Sequence, residues 1–353
     1  MVLCTLVFLT GNLIGGRLAF PPHVYLVLAL IFSVAALRRS RFSWLLLCLA
    51  LLGAASVQVG RMPVPAGPSA LVCWAARRKA LFSAWLAGLV PEPEAQGVLR
   101  ALAIGDRSGL SRDLRNAYRD SGAMHLLALS GLHVGLVYAL LRRLLVPLGG
   151  RRAVRLLRSI VTVGFLWFYA VITGLGASIV RAVLMITLYE LSDWVSGGND
   201  PLTTLSASAF LLVLFRPEAP RDIGFQLSYS AVLSILLLHP WLNARLRTRS
   251  RLLAGVWGML SIGICCQATC GVLAWLYFGT FPRYFLLTSV LAVPLTTVVM
   301  YAVAAAVAAA ALAPLCSGIL PAACAAALTG ATNAALRAFL HLLNTLIRQI
   351  STL

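Results

Sequence analysis

The sequence predicts an all-α fold: a polytopic integral membrane bundle of about 9–12 transmembrane helices, with one or more amphipathic helices at the interface. Three observations lead there. Sixty percent of the 353 residues are hydrophobic and the mean hydropathy is +0.91, against roughly 45–50% apolar residues in soluble domains. Apolar runs of roughly 17 residues or more, enough for a hydrocarbon core of about 30 Å, recur along the whole chain. Clusters of arginine interrupt these runs, and alternation of the spans puts three of them on the same side of a bilayer.

The opening MVLCTLVFLTGNLIGG has no basic leader and no A-x-A-like site, so it reads as a first membrane segment over 2–16 rather than a cleaved signal. Further spans are expected at 23–37, 42–58, 124–146, 155–174, 178–195, 202–215, 223–240, 252–278 and 284–303. The Ala-rich stretch 303–329, interrupted by Pro314 and Pro321, adds one more or a broken pair. Alternation places three basic clusters on one side: RRSR at 38–41, the 142–158 loop, and RLRTRSR at 245–251. That side is the cytoplasm.

The same alternation puts residues 59–122 outside, although they carry Arg77, Arg78, Lys79, Arg100 and further arginines. Within them, WAARRKALFSAWLAGLV (74–90) reads as an amphipathic helix, with Trp74, Leu81, Phe82, Trp85 and Leu89 on its apolar face. A helix of this kind lies flat on the membrane surface. Two short polar helices are expected after PEPEAQ. The second, SRDLRNAYRD (111–120), has a serine cap and arginines at 112, 115 and 119, a spacing that builds one basic face. Such a face is either simply solvated or the rim of a funnel for a polyanion.

Charge and motifs exclude several chemistries. The chain has 29 basic and 10 acidic residues, net +19, and Lys79 is its one lysine. Part of the surplus is cytoplasmic loop charge, and part suits a polyanion such as nucleic acid or lipid headgroups. Lys79 lies in ARRKAL, outside any phosphate-cradling G-x-x-x-x-G-K-[ST] loop. The five histidines form no H-E-x-x-H pattern, so neither a hydrolytic metal nor any other cofactor is expected. Of the carboxylates, only Glu190 and Asp193 fall near the end of a span, which argues against a cation-driven carrier. The eight cysteines contain no C-x-x-C pair, and seven fall in apolar stretches, as small buried hydrophobes do.

Polar groups inside expected spans cluster in three places. MHLLALSGLHV (124–134) brings His125, Ser130, Gly131 and His133 into one apolar run. On a single helix the two histidines would project about 80° apart, a poor ligand pair. YAVITGLGASIVRAVLMITLYE (169–190) carries Arg181, whose burial costs about 2.5–3.5 kcal/mol unless it snorkels or finds a partner. RPEAPRDIGFQLSYSAV (216–232) brings in Gln226 and Ser228. Interhelical hydrogen bonding accounts for each cluster singly. All three lie near outer helix ends, which points to a polar vestibule opening outward.

Five motifs resemble the ComEC-type competence family: L-x-x-G-D-R-x-x-L (102–110), GAMHLLALSGLHV (122–134), TGLGASIVRA (173–182), RPEAPRDIGFQLSYSAV and TSVLAVPLTT (288–297). The resemblance implies an inner-membrane channel, not an enzyme, that passes single-stranded DNA during natural transformation. It implies that His125, Ser130, Gly131, His133, Arg181, Gln226 and Ser228 line or shape the path. Arg107, Arg112, Arg115 and Arg119 would form the cationic face at its mouth, with Trp74, Trp85 and Tyr118 placed to stack on bases. The implied partners are membrane lipids, a periplasmic DNA-delivery protein and a cytoplasmic helicase or ATPase motor.

The expected division is 1–58 for the first helices, 59–122 for the outer basic segment, 123–303 for the channel core and 304–353 for the last helices. Residues 59–122 are too helical in pattern for the OB-fold many relatives carry, and no metallo-β-lactamase-like nuclease domain is expected. The rival expectations are a small-molecule or anion transporter, an intramembrane enzyme using a histidine base, and an inactive paralogue.

Overall fold

The computed structural model describes residues 2–15, 42–60, 70–149, 152–196, 200–246, 249–279, 281–316 and 322–352, together with Ala29. Ala29 aside, the expected span at 23–37 and the arginine cluster at 38–41 lie outside the described residues. Every regular element among the described residues is a helix or helical turn. In chain order these are α1 (Val2–Gly15), α2 (Phe42–Gly60), α3 (Ala70–Ala87), α4 (Pro93–Ile104), α5 (Arg112–Asp120) and α6 (Met124–Leu127). Next come α7 (Gly131–Leu145), α8 (Arg152–Ile172), α9 (Ala177–Ser196), α10 (Pro201–Phe215) and α11 (Ile223–Asn243). Helix α12 (Arg251–Cys266) runs through a π-turn (Gln267–Gly271) into α13 (Val272–Phe278), and α14 (Phe285–Cys316) and α15 (Ala322–Ser351) follow.

Four stretches among the described residues are long and apolar enough to cross a membrane: Arg152–Ile172, Ile223–Asn243, Arg251–Phe278 and Phe285–Ala311. Helices α1 and α10 are also apolar but shorter. The chain divides into two compact units, residues 1–67 with 184–238, and residues 68–183 with 239–353.

In the first unit α1 and α2 cross at glycines. A Cβ on Gly11 would fall 1.9 Å from the Ala50 carbonyl oxygen, and one on Gly53 would fall 2.1 Å from that of Phe8. Apolar segments in lipid gain little from hydrophobic contact with each other, so close backbone approach through small residues holds such pairs. The fully buried Asn12 uses its Nδ2–H to donate to Ser56 Oγ at 3.1 Å across the same crossing. Thr5 ties α1 to α10 by donating to the Ser206 carbonyl at 3.2 Å. Phe8 packs with Ala209, Val213 and Phe225, its ring edge-on to Phe210 with centroids 4.7 Å apart.

The second unit is built around α4. The sequence predicts a short polar helix here, and the structure corrects this: Val98, Leu99, Ala101, Leu102 and Ile104 are fully buried. Past the first turn of PEAQGVLRALAI the helix is apolar apart from Arg100, the mark of a helix inside a core. Leu86 of α3, Leu114 of α5, Leu126 and Leu127 of α6 and Val299 of α14 close around it. Helix α15 adds Leu336, Leu340, Leu343 and Ile347, one stripe at helical spacing. Each such side chain contributes about 1.5–3 kcal/mol by leaving water.

Along α3 the expected apolar face divides in two. Phe82, and Leu89 in the turn just after the helix, point inward and pack on the core. Trp74, Leu81 and Trp85 stay exposed, and the Arg78 guanidinium lies 5.3 Å from the Trp74 ring centre. Two expected spans are interrupted. Residues 252–278 remain one helical run, but with the π-turn inside it, where Gln267 Nε2–H donates to the Pro282 carbonyl at 3.2 Å. Residues 124–146 do not form one helix. The chain leaves helical geometry at Ala128 (ψ 123°) and re-enters after Ser130 (φ −121°, ψ 173°).

Candidate functional site

Helix α5 starts as its sequence predicts, with Ser111 Oγ accepting from the Leu114 N–H at 3.2 Å. Leu114 and Tyr118 are buried on one side, while Arg112, Arg115 and Arg119 are exposed on the other. The Arg119 guanidinium pairs with Asp120 at 3.2 Å, an exposed contact of about 0–1 kcal/mol. Tyr118 is not available to stack on a base. It is fully buried, which pushes its phenol well above the usual range, and its hydroxyl donates to Asn344 Oδ1 at 3.2 Å.

Arg107, grouped by sequence with the basic face, also braces the structure. Its Nε–H donates to the Leu127 carbonyl at 3.1 Å, at the end of α6, and its own carbonyl accepts from the Arg115 guanidinium at 3.4 Å. The G-D-R turn that presents it is held by Asp106. That carboxylate accepts from the Ser83 hydroxyl at 2.9 Å and from the Ser108 N–H and hydroxyl at 3.1 and 2.7 Å. Burial alone would raise the Asp106 pKa. The Ser108 bonds, the Ser83 bond and the Arg100 guanidinium outweigh it and hold the group below its ordinary 3.8. Gly105 caps α4 in the left-handed conformation (φ 69°), a geometry that glycine adopts without strain.

At the break between α6 and α7 the two histidines take different roles. His125 Nδ1 lies 3.0 Å from the Gly122 carbonyl, so that nitrogen carries the proton, and its ring packs beside Phe285 with centroids 5.0 Å apart. His133 Nδ1 accepts from the Ser130 N–H at 3.3 Å and lies 3.1 Å from the Ser130 hydroxyl. The neutral ring then bears its proton on Nε2, which is fully buried and makes no hydrogen bond among the described residues. Ser130 and His133 thus satisfy the backbone at the start of α7, where a serine competes well with continued helix.

Gly131 sits against α9, where a Cβ would lie 3.7 Å from that of Ala182. Arg181 beside it is buried, at 5% exposure. The T-G-L-G turn ahead of α9 ends α8 with Gly174 (φ 89°) and Leu175 (φ 54°) both left-handed, a strained setting for leucine. Within the first unit, Gln226 Nε2–H donates to the Pro220 carbonyl at 2.9 Å, and Ser228 is half-buried. Of the residues expected along a path, His125, Ser130, Gly131, His133 and Arg181 therefore belong to the second unit, and Gln226 and Ser228 to the first.

Sequence reading missed the groups that hold this site in place. Ser83 and Asn344 carry no local motif, and Tyr169 and Thr288 open stretches noted for other residues. Tyr169 donates to the Ala103 carbonyl at 2.8 Å, and Thr288 donates to that of Ser121, each closing a polar group at a helix end. Gly97 and Gly109 meet backbone to backbone, where a Cβ on Gly97 would fall 2.4 Å from the Gly109 oxygen.

A chain whose described elements are all helical, with four stretches apolar and long enough to cross a bilayer, is a membrane protein. Residues 102–352 match the family described as "Competence protein", and the chain belongs to that family. It is 36% identical over 145 residues to ComE operon protein 3 of Bacillus subtilis (strain 168), covering 41% of this chain and 18% of that protein. It is 30% identical over 145 residues to Competence protein ComA of Neisseria gonorrhoeae, covering 40% of this chain and 21% of that one. Recombination protein 2 of Haemophilus influenzae (strain ATCC 51907 / DSM 11121 / KW20 / Rd) is 28% identical over 146 residues, 40% of this chain and 18% of its own length. The aligned stretch thus spans about a fifth of these relatives, as the 18% and 21% coverages give. No solved structure matches the chain.

Proposed function

We propose that this protein is a multi-pass channel of the bacterial inner membrane that passes single-stranded DNA into the cytoplasm during natural transformation. The observation that carries the reading is the exposed arginine face of α5, braced through Arg115 and Arg107 to the end of α6 at a break in the helical path. Phosphates do not cross hydrocarbon unaided, so cationic groups at the mouth lower the energy of the arriving strand and release its counterions. Broken helices at membrane depth occur where backbone is buried in protein or lines a wet cavity. His125, Ser130, Gly131, His133, Arg181, Gln226 and Ser228 are the groups this reading assigns to the path.

On this reading residues 59–122 lie outside, 123–303 form the channel core, and Trp74, Leu81 and Trp85 rest in the lipid interface. The chain does no chemistry on the strand. A periplasmic DNA-delivery protein feeds it, and a cytoplasmic helicase or ATPase motor pulls. The test follows labelled double-stranded DNA in a strain deleted for this gene and complemented with either parent or Arg112→Gln/Arg115→Gln/Arg119→Gln. The expected outcome is that transformation falls at least tenfold (about 1.4 kcal/mol or more) while the amount of protein in the membrane is unchanged. DNA should then accumulate, protected, outside the inner membrane. Normal uptake in the deletion strain rejects the channel. A charge-neutralised α5 with full transformation rejects its mouth.

A further inference from the structure

The run α12–α13 is longer than the bilayer it crosses. Arg251–Phe278 holds 28 residues, about 42 Å at about 1.5 Å each, against a hydrocarbon core of about 30 Å. On the channel reading the arginine cluster at 245–251 keeps its start at the cytoplasmic face. About twenty residues then fill the core, and the excess of about 12 Å falls on α13, beyond the π-turn. A tilt of about 20° takes up only about 3 Å of that excess.

What projects there is aromatic. No residue of α13 is buried, and Trp275, Leu276, Tyr277 and Phe278 are each 47–66% exposed. Four consecutive residues cover every side of a helix, so this is not one apolar face turned toward a neighbour. Phe281 follows, exposed, with one ring edge on the π-turn: a Cβ on Gly271 would lie 3.2 Å from its Cε2. The Gln267 bond to the Pro282 carbonyl fixes the next residue.

This tip adjoins the cationic helix. A Cβ on Gly122, two residues past α5, would lie 3.2 Å from the Phe285 nitrogen and 3.4 Å from Pro282 Cβ. The Thr288 bond to the Ser121 carbonyl closes the same junction. Arg283, between the two contacts, is exposed. With Arg112, Arg115 and Arg119 it makes four guanidinium groups against two carboxylates, Asp113 and Asp120, and Asp120 already pairs with Arg119. Residues 223–353 contain no Asp or Glu.

We propose that Trp275, Tyr277, Phe278 and Phe281 form a stacking platform for the bases of single-stranded DNA, while Arg283 and the α5 arginines hold its phosphates. The proposal rests on the channel reading and adds a contact for the bases, since Tyr118, expected to stack, is buried. Every base has a π-face, so aromatic side chains beside a cationic track bind a strand without reading its sequence. Trp and Tyr at the end of a span also serve as anchors in the headgroup layer. The reach of α13 past the core and its junction with α5 favour the strand over lipid.

The experiment compares a fluorescent oligothymidylate with an abasic phosphodiester of equal length, each titrated over a salt series onto the purified full chain in nanodiscs. Tyr277→Leu/Phe278→Leu keeps the apolar surface and removes the rings. It should weaken oligothymidylate binding about fivefold or more. Its salt slope should stay parental, because no phosphate contact is lost, and so should its binding of the abasic strand. Arg283→Gln should lower the slope by about 0.7 for both strands. Tyr277→Phe/Phe278→Tyr keeps the rings and should bind as the parent does, which guards against a folding defect in the leucine variant. Parental oligothymidylate binding by the leucine variant assigns the aromatics to the lipid interface and overturns the platform. An equal loss on the abasic strand also overturns it, and both results leave the channel standing. If the parent binds neither strand and the α5 triple variant transforms normally, the channel reading itself fails.

Discussion

Asp106 shows what one carboxylate does for the cationic surface. It holds the turn whose next residue, Arg107, reaches the Leu127 carbonyl and the Arg115 guanidinium. Its folded pKa is depressed, so the stabilisation it gives is complete above its ordinary 3.8 and is lost as pH falls through the lower folded value. Asp106→Asn should cost about 1–2 kcal/mol at neutral pH, the scale of lost charge-assisted hydrogen bonds. Melting of the detergent-solubilised protein, followed by tryptophan fluorescence, checks this. Parent and variant should differ at pH 7 and converge as pH falls below 3.8, and a gap that persists in acid removes the carboxylate from the account. At this scale the sequence is only partly readable. The arginines of α5 and the Ser111 cap follow from local spacing. Ser83 and Asn344 do not, because their partners Asp106 and Tyr118 lie 23 and 226 residues away.

Whole elements follow from periodicity where the pattern is long. The apolar runs of α8, α11, α12 and α14 identify themselves. Helix α4 is misread from sequence because its polar first turn masks a remainder that is apolar apart from Arg100. The break at 128–130 is hidden because no proline marks it: Ser130 and His133 stop the helix with hydrogen bonds that composition does not reveal. Glycines are equally silent, since spacing does not say which one touches backbone. That difference is testable. Gly11→Val drives its Cβ to 1.9 Å from the Ala50 carbonyl oxygen, so α1 and α2 must part, whereas Gly164 has nothing within 4 Å of its Cβ position. Gly11→Val should destabilise by about 1–3 kcal/mol or more and lower the folded yield, and Gly164→Ala should leave both unchanged. Size-exclusion profiles and melting temperatures separate the pair. Equal behaviour of the two variants removes the close crossing.

The net charge of +19 acts at the scale of the whole molecule, and it separates a polyanion channel from a carrier of small anions. A strand bound through Z phosphates releases condensed counterions, so log K falls against log salt with a slope of about −0.7Z for single strands. Neutralising Arg112, Arg115 and Arg119 together should therefore flatten the slope by about 2, that is about 0.7 for each guanidinium. The loss should be the same for oligonucleotides of different sequence, since phosphate contacts carry no sequence information. A monovalent anion releases no condensed atmosphere and gives no comparable slope. Anisotropy titrations of mixed-sequence oligonucleotides over a range of salt, with parent and triple variant, decide between the two. A slope that the triple variant leaves unchanged places the bound phosphates elsewhere on the cationic surface, and α5 is then a solvated helix and not the mouth of a path.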